Sequence, residues 1–329
     1  MLGLTKRKTA VGPGSSLPVL ILLAAACIFL AIGSSVSSIF AQQTVAGLAQ
    51  GAIFGSLALA LVLIYQATEV INFAQGEMAM ATTYVAYQLT VWGVTFWLAF
   101  FLTLLIAFIL GVVTQLVFIR PVQQSVIAVV IVTVGLFILI DGLVTWKWGG
   151  ELRFMEAPFG NQVYHVRGVA FSRQDIGVLA VSILSVIVLW LLFQFTKVGL
   201  AMRAAALRPA AASLVGVRVQ WMLALGWGLA AVLGAVAGMM TEPTSFLQPT
   251  MMQPILLYSF AAAVLGGLES PAGAVVGGLL LGVFMNLIGQ YGGGIATAEL
   301  RLPIAFAVLL AVLLVRPNGL FGRRQVRRV

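Results

Sequence analysis

Residues 95–119 read TFWLAFFLTLLIAFILGVVTQLVFI, a run that has no charged side chain and is long enough to cross a bilayer as one helix. Similar apolar runs recur along the chain of 329 residues, of which 61% are hydrophobic and only 8% are charged. Soluble domains carry about a quarter charged residues. Soluble enzymes and disordered proteins are therefore excluded for the chain as a whole. The runs are too long and continuous for a β-barrel, so we expect an all-α polytopic membrane protein.

Ten such runs predict about ten transmembrane helices. They cover about residues 17–40, 44–66, 78–93, 95–119, 124–145, 176–196, 220–240, 251–268, 271–290 and 301–315. The first run has an alternative interpretation. Lys6, Arg7 and Lys8 precede it, and 37–41 resembles a signal-peptide cleavage region, so that cleavage would leave nine spans. The length of the run favours a retained helix.

Lys and Arg are distributed unevenly between the alternating loops. If the N-terminus lies inside, thirteen of the eighteen basic residues face the cytoplasm, and five face outward. These five are Lys147, Arg153, Arg167, Arg173 and Arg301. The bias predicts that both termini are cytoplasmic. Anionic membrane lipid, rather than nucleic acid, then accounts for the net charge of +9.

The hydropathy pattern predicts one transmembrane domain, 17–316, between a cytoplasmic tail, 1–16, and a basic cytoplasmic tail, 317–329. Two polar segments interrupt the domain. Residues 146–175 are expected on the outer, periplasmic side, as a cap or docking loop or as a solvated linker. Residues 197–219 are expected in the cytoplasm. They contain four basic residues, no acid, and alanine runs that favour short helices interrupted by a proline and a glycine.

No catalytic constellation is present in the sequence. It has no Gly-Lys-Ser/Thr phosphate loop, a single histidine (His165) and a single cysteine (Cys27). A lone histidine supplies neither a metal cluster nor the usual base for a serine or threonine nucleophile. We expect no enzyme activity in this chain and no metal or cofactor of its own.

The acidic residues are expected in loops or near the ends of spans. They are Glu69, Glu77, Asp141, Glu151, Glu156, Asp175, Glu242, Glu269 and Glu299. Ion-coupled transporters usually keep an ionisable group within their spans. A chain without one needs another source of energy, which favours either a permease driven by a separate ATPase or a passive channel.

Three segments between spans are distinctive. Residues 71–77, INFAQGE, suit either an ordinary cytoplasmic turn, which composition favours, or irregular backbone lining a cavity. Residues 264–273, VLGGLESPAG, suit a tight helix hairpin. Residues 199–216, GLAMRAAALRPAAASLVG, suit either a helix that docks on a partner or a basic lipid-facing loop.

Small residues recur at helical spacing in three spans, where they predict close helix packing. The three ladders are Gly47, Gly51 and Gly55; Gly226, Ala230, Gly234 and Gly238; and Ala274, Gly278 and Gly282.

The three segments, together with 316–322, RPNGLFG, resemble the permease subunits of branched-chain amino-acid ABC importers, the LivH/LivM group, over about residues 44–322. The resemblance implies a BtuC/RbsC-like importer permease fold in a bacterial inner (plasma) membrane. It also implies partners: ATP-binding subunits that bind the ATP, a second permease expected to be a paralogue, a periplasmic substrate-binding protein and membrane lipid, with no nucleic acid.

The resemblance also implies functional residues. The coupling segment that contacts the ATPase maps to Gly199, Arg203, Ala204 and Gly216. Charge-assisted hydrogen bonds from Arg203 would hold that contact. The expected substrate path is polar but uncharged, and it includes Asn72, Gln75, Gly76, Thr133 and Asn286, beside the amide of Gln50 and the hydroxyl of Thr82.

This chain departs from the family pattern in three places. Gln75 stands where many relatives have histidine, 207–209 stands where many have an acidic or amide residue, and Glu269 lies in a hairpin that is often uncharged. The alternatives to an amino-acid permease are a permease for urea or short amides in the same superfamily, or a passive channel for a small neutral solute. A channel has no need of a docking segment.

Overall fold

The computed structural model describes residues 38–160, 162–166, 169–293 and 297–322. Most of the predicted span 17–40 and of the basic tail 317–329 lies outside the described residues.

Eleven α-helices occur in the described part of the chain. They are α1 (Ser38–Thr68), α2 (Gln75–Val91), α3 (Phe96–Val113), α4 (Val126–Trp148), α5 (Arg173–Phe195), α6 (Lys197–Leu207), α7 (Pro209–Leu214), α8 (Val219–Ser245), α9 (Met252–Gly266), α10 (Pro271–Tyr291) and α11 (Arg301–Val315).

Each predicted span from 44–66 onward overlaps one of these helices. Six helical runs are long and apolar enough to cross a membrane: α1, α3 with its π- and 3-10-helical extension to Val122, α4, α5, α8 and α10. Helices α9 and α11 are apolar but shorter. The predicted position of the break between the first two spans, at 41–43, is wrong, because α1 runs without interruption from Ser38 through these residues. Within it, Gln43 Nε2 donates a hydrogen bond of 3.2 Å to Gln290 Oε1 of α10, so its polar side chain has a partner there.

The glycine ladders lie where helices cross most closely. Helix α1 is largely buried and packs antiparallel along α10. A Cβ atom added at Gly47 would lie 2.7 Å from Val283 Cα, and one at Gly51 would lie 2.8 Å from the carbonyl oxygen of Gly278. Along α8, a Cβ at Gly234 would lie 2.8 Å from Gln75 Nε2. The predicted packing role of these ladders is confirmed at Gly47, Gly51 and Gly234, whereas an added Cβ at Gly226 would make only an ordinary contact of 3.6 Å with Met202.

Two parts of the chain repeat one arrangement. In the first, α1 ends at Thr68 and six residues, 69–74, lead to the shorter helix α2. In the second, α8 ends at Ser245 and six residues, 246–251, lead to α9. Each six-residue segment begins with a residue of positive φ, Glu69 at 56° and Phe246 at 58°. No other non-glycine residue in the described ranges has a positive φ.

The two repeats run in opposite directions. The end of α1 lies at the turn between α9 and α10, where Gln66 Nε2 donates to the backbone oxygen of Glu269 at 3.0 Å. The end of α8 lies at the opposite side of the bundle, where Leu247 pairs with Arg153 just beyond α4. The two helix pairs are therefore oriented oppositely, and we call this arrangement an inverted repeat by analogy with membrane transporters.

Helices α2 and α9 begin in the interior of the bundle. Gln75, the first residue of α2, bonds to Ala230, which is about 16 Å along α8 from its start at 1.5 Å per residue. Gly76 packs against Leu256 in the second turn of α9. Asn72 and Ala74 are fully buried. The interpretation of 71–77 as an ordinary cytoplasmic turn is therefore wrong.

The segment 146–175 is more ordered than a loop. Helix α4 continues to Trp148, and α5 begins at Arg173. Between them, β1 (Val163–Val166) and β2 (Val169–Ser172) form an antiparallel hairpin with Val163 opposite Ser172. The sequence does not predict these strands, because each is only four residues long and the hairpin stands alone.

Candidate substrate path and coupling surface

The predicted path residues Asn72 and Gln75 form one buried network. Asn72 Nδ2 donates to Gln75 Oε1 at 3.1 Å, while Asn72 Oδ1 accepts from the backbone nitrogen of Ala74 at the same distance. Gln75 Nε2 in turn donates to the backbone oxygen of Ala230 at 2.9 Å. Both side chains are fully buried. Their polar groups are used to hold the start of α2 against α8.

The other predicted path residues lie in different places. Gly76 is buried between α2 and α9, where a Cβ would lie 3.2 Å from Leu256 Cβ. Thr133 is buried in α4, and its hydroxyl donates to the backbone oxygen of Val130 at 2.9 Å. Asn286 of α10 is half-buried and donates to Gln50 Oε1 at 2.7 Å. Helix α4 packs mainly on α2, whereas α10 packs mainly on α1 and α9. The five residues thus form no single cluster.

The predicted coupling segment folds as a pair of short helices, α6 and α7. Thr196 caps α6 by accepting a hydrogen bond of 3.0 Å from the backbone nitrogen of Gly199. Gly199 is buried because its α-carbon lies against the last turn of α5, where a Cβ would clash with the backbone of Leu192 and Phe193. Pro209 begins α7, and Gly216 ends it with a φ of 84°. The expected short helices, interrupted at a proline and a glycine, are confirmed.

The four predicted coupling residues differ in exposure. Arg203 and Gly216 are exposed, Ala204 is half-buried and Gly199 is buried. Arg203 Nη1 donates only a long hydrogen bond of 3.4 Å to Gln194 Oε1, so most of its hydrogen-bonding capacity is free. Of the four, Arg203 is therefore the side chain that a partner can reach most readily.

Three further exposed residues lie in the same segment as Arg203, and the sequence did not point to them. Leu207 is 82% exposed, Leu214 is 88% exposed and Val215 is 79% exposed. Large apolar side chains that stand free beside arginines suit a contact either with a partner protein or with membrane lipid. The signal in the sequence was the pair of apolar residues immediately before Gly216, within an otherwise alanine-rich segment. We name Arg203, Leu207, Leu214 and Val215 the docking surface.

The expectation that the bundle interior holds no acidic group is wrong. Glu77 and Glu242 are each 1% exposed, within α2 and α8. Asp141 lies inside α4 and is half-buried. Glu77 follows the start of α2 closely, as expected, but that start lies in the interior. Glu242 Oε1 accepts a hydrogen bond of 2.7 Å from the backbone nitrogen of Met155, which ties the outer segment to α8.

Comparison with known proteins assigns the chain to a family of membrane transport subunits. A family model described as the permease component of branched-chain amino acid transport systems matches residues 43–313. The high-affinity branched-chain amino acid transport system permease protein LivH of Salmonella typhimurium is 30% identical over 305 residues, which cover 88% of this chain and 98% of LivH. The corresponding permease protein BraD of Pseudomonas aeruginosa is 28% identical over 309 residues, with the same coverage.

A solved structure, PsaBC from Streptococcus pneumoniae in complex with Fab, is similar over 83% of this chain and 91% of that chain, with 14% identity and a TM-score of 0.47. The match of the family model over most of the chain and the identity to LivH agree. This chain belongs to the family of permease components of branched-chain amino acid transport systems.

Proposed function

We propose that this chain is the membrane-spanning permease subunit of an ATP-driven importer for branched-chain or related hydrophobic amino acids. It forms the substrate path in a BtuC/RbsC-like fold in a bacterial inner membrane, with both termini in the cytoplasm. Its partners are ATP-binding subunits, a second permease and a periplasmic substrate-binding protein. The chain itself is no enzyme, because ATP is bound and hydrolysed by the partner subunits.

The observation that carries this proposal is the docking surface. Three apolar side chains and Arg203 are exposed together on two short helices that are separate from the long apolar helices. A passive channel has no need of such a surface. An ATPase that contacts α6 moves α5 and α8, because α6 packs against both. ATP hydrolysis in a partner can thereby reach the membrane helices.

The inverted repeat supports a path that alternates between two openings. Segments 69–74 and 246–251 enter the bundle from opposite sides, and the helices that follow them begin beside each other. In transporters with inverted repeats, rearrangement of one repeat against the other changes which side is open. Partner subunits shift this equilibrium only when they bind one arrangement more tightly than the other.

The test is reconstitution of the complete complex. The tagged chain is purified gently from its native membrane, co-purifying proteins are identified by mass spectrometry, and the complex is placed in liposomes with its binding protein. Uptake of radiolabelled leucine that requires ATP on the cytoplasmic face is the expected result. Uptake of urea in place of leucine supports the short-amide alternative. Uptake without ATP and without co-purified ATPase supports a channel and overturns the proposal.

A further inference from the structure

Two carboxyl-bearing residues, Glu77 and Asp141, lie on the helices α2 and α4, which pack against each other. Glu77 and Tyr84 lie two turns apart on one face of α2, and Asp141 and Trp148 lie two turns apart on one face of α4. The rings of Tyr84 and Trp148 are 5.2 Å apart, which fixes the register of the two helices. In that register, Asp141 lies close enough to Glu77 and Tyr84 to act on both electrostatically.

This group of side chains has hydrogen-bonding capacity that the protein does not use. Glu77 Oε1 receives one long hydrogen bond of 3.5 Å, from Gln253 Nε2 at the start of α9. Glu77 Oε2, Asp141 Oδ1 and the hydroxyl of Tyr84 are buried and have no hydrogen-bond partner among the described residues. Glu77 is 1% exposed and Tyr84 is fully buried. Buried polar groups are normally paired, so orphaned ones require an explanation.

The membrane makes this arrangement costly. Two carboxylates close together in a medium of low dielectric repel each other, and each loses its hydration. No arginine or lysine in the described residues donates a hydrogen bond to either one. Ionisable groups at such depth usually belong to a binding site or an ion pathway. A cationic ligand would relieve the repulsion and satisfy the free oxygens together.

Asp141 lies next to the exposed face of α4. Helix α4 is the least buried of the six long helices, and Ile138 and Gly142, which flank Asp141 on α4, are exposed. Asp141 itself is half-buried at the edge of that face, with Glu77 behind it. A face that carried a carboxylate would be unfavourable against lipid. We therefore expect the side of α4 next to Asp141 to meet solute or a partner rather than lipid.

We propose that Glu77 and Asp141, with the amide of Gln253 and the hydroxyl of Tyr84, form a subsite for the ammonium group of the transported solute. An ammonium group has three N–H donors and can bond to both carboxylates at once. The proposal rests on the proposed function, since it places this group on the substrate path. It selects a zwitterionic amino acid over urea or a short amide, because the latter two carry no cation. It also shifts the substrate contact from Asn72 and Gln75, whose polar groups are satisfied within the protein, to Glu77 and Asp141.

The experiment measures ATP-driven uptake of radiolabelled leucine, and in parallel of radiolabelled urea, by the complete reconstituted complex. The lead variant is Asp141→Asn, which keeps the shape of a half-buried side chain and removes its charge. Asp141→Glu keeps the charge, and Glu77→Gln tests the second carboxyl group. Asp175→Asn is the matched control, because Asp175 is also half-buried but lies in the first turn of α5. Co-purification of the partner subunits reports assembly in each variant.

We expect Asp141→Asn and Glu77→Gln to lower leucine uptake per ATP hydrolysed about tenfold, as suits the loss of one hydrogen bond to a charged group. Asp175→Asn stays near the wild-type rate, and Asp141→Glu, which keeps the charge but lengthens the side chain, retains more uptake than Asp141→Asn. Leucine uptake that is unchanged in Asp141→Asn overturns the subsite and leaves the proposed function standing. If the wild-type complex takes up urea but not leucine, both the subsite and the proposed function are overturned. Loss of assembly in both carboxyl variants, with Asp175→Asn intact, assigns the pair a structural role and also overturns the subsite.

Discussion

Gln75 Nε2 donates a hydrogen bond of 2.9 Å to the backbone oxygen of Ala230, and this bond fixes where α2 begins along α8. The same side chain accepts a hydrogen bond from Asn72, so it joins the irregular segment 69–74 to the interior of the bundle. In the sequence, Gln75 stands where many relatives are expected to have histidine. Either side chain can present an N–H donor at this position.

The first prediction concerns this bond. Gln75→Leu leaves the amide of Asn72 without its partner and should destabilise the protein by about 1–3 kcal/mol. Gln75→His should retain most of the stability because it keeps a donor. The measurement is the thermal unfolding midpoint of the purified protein in detergent. Gln290→Ala is the control, since its hydrogen bond to Gln43 is exposed. Equal midpoints for Gln75→Leu and Gln290→Ala would show that the network contributes little.

The second prediction concerns the crossing of α1 and α10. Gly51→Ala places a methyl group 2.8 Å from the backbone oxygen of Gly278, so the two helices must separate. We expect a loss of about 1–3 kcal/mol from this overpacking. Gly226→Ala is the matched control, because its Cβ meets only the flexible end of Met202 at 3.6 Å. Alanine is the better helix former, so this control should keep or slightly raise the unfolding midpoint. A reversed order of the two midpoints would contradict the packing described here.

The third prediction concerns Arg203. Arg203→Glu should uncouple ATP hydrolysis from uptake while expression stays intact, because the side chain is exposed and bound only by a hydrogen bond of 3.4 Å to Gln194. Arg173→Glu is the matched control. Arg173 is also exposed, and it makes a hydrogen bond of the same length to Gln162, but it lies in the first turn of α5, at the opposite end from Gln194. The readout is leucine uptake per ATP hydrolysed in liposomes. Unchanged uptake in Arg203→Glu would remove Arg203 from the coupling contact.

The fourth prediction concerns the apolar part of the docking surface. Leu214→Ser removes an 88% exposed side chain, so the stability of the isolated chain should change by less than about 0.5 kcal/mol. Its retention of the ATP-binding subunits should nevertheless fall, because burial of a leucine contributes about 1.5–3 kcal/mol. Leu152→Ser is the control, as Leu152 is 56% exposed in the segment beyond α4. Retention is measured as the ratio of ATPase to tagged chain after purification. The same ratio in both variants would place the ATPase elsewhere.

The substrate path shows the limit of prediction from sequence most clearly. The composition of 71–77 favours an ordinary turn, and only the family resemblance implies that Asn72 and Gln75 line a substrate path. The structure instead uses their polar groups for hydrogen bonds within the protein. The sequence places Glu77, in the same segment, in a loop or near the end of a span and gives no reason to expect it in the bundle interior. Its unpaired oxygen becomes visible only when α4 brings Asp141 beside it. Whether a polar group is satisfied depends on neighbours distant in the sequence.

The sequence by itself determined the membrane class, the positions of the helices from 44–66 onward, the packing role of the glycine ladders and the short helices around Pro209. These features follow from local composition, because partition into lipid and helix breaking depend on neighbouring residues. The tertiary structure alone decided that α2 and α9 begin in the interior, that Gly199 is buried and that Glu77 lies within electrostatic range of Asp141. Those features depend on how separate helices pack, because the burial of a residue and the charges near it are set by contacts between distant segments.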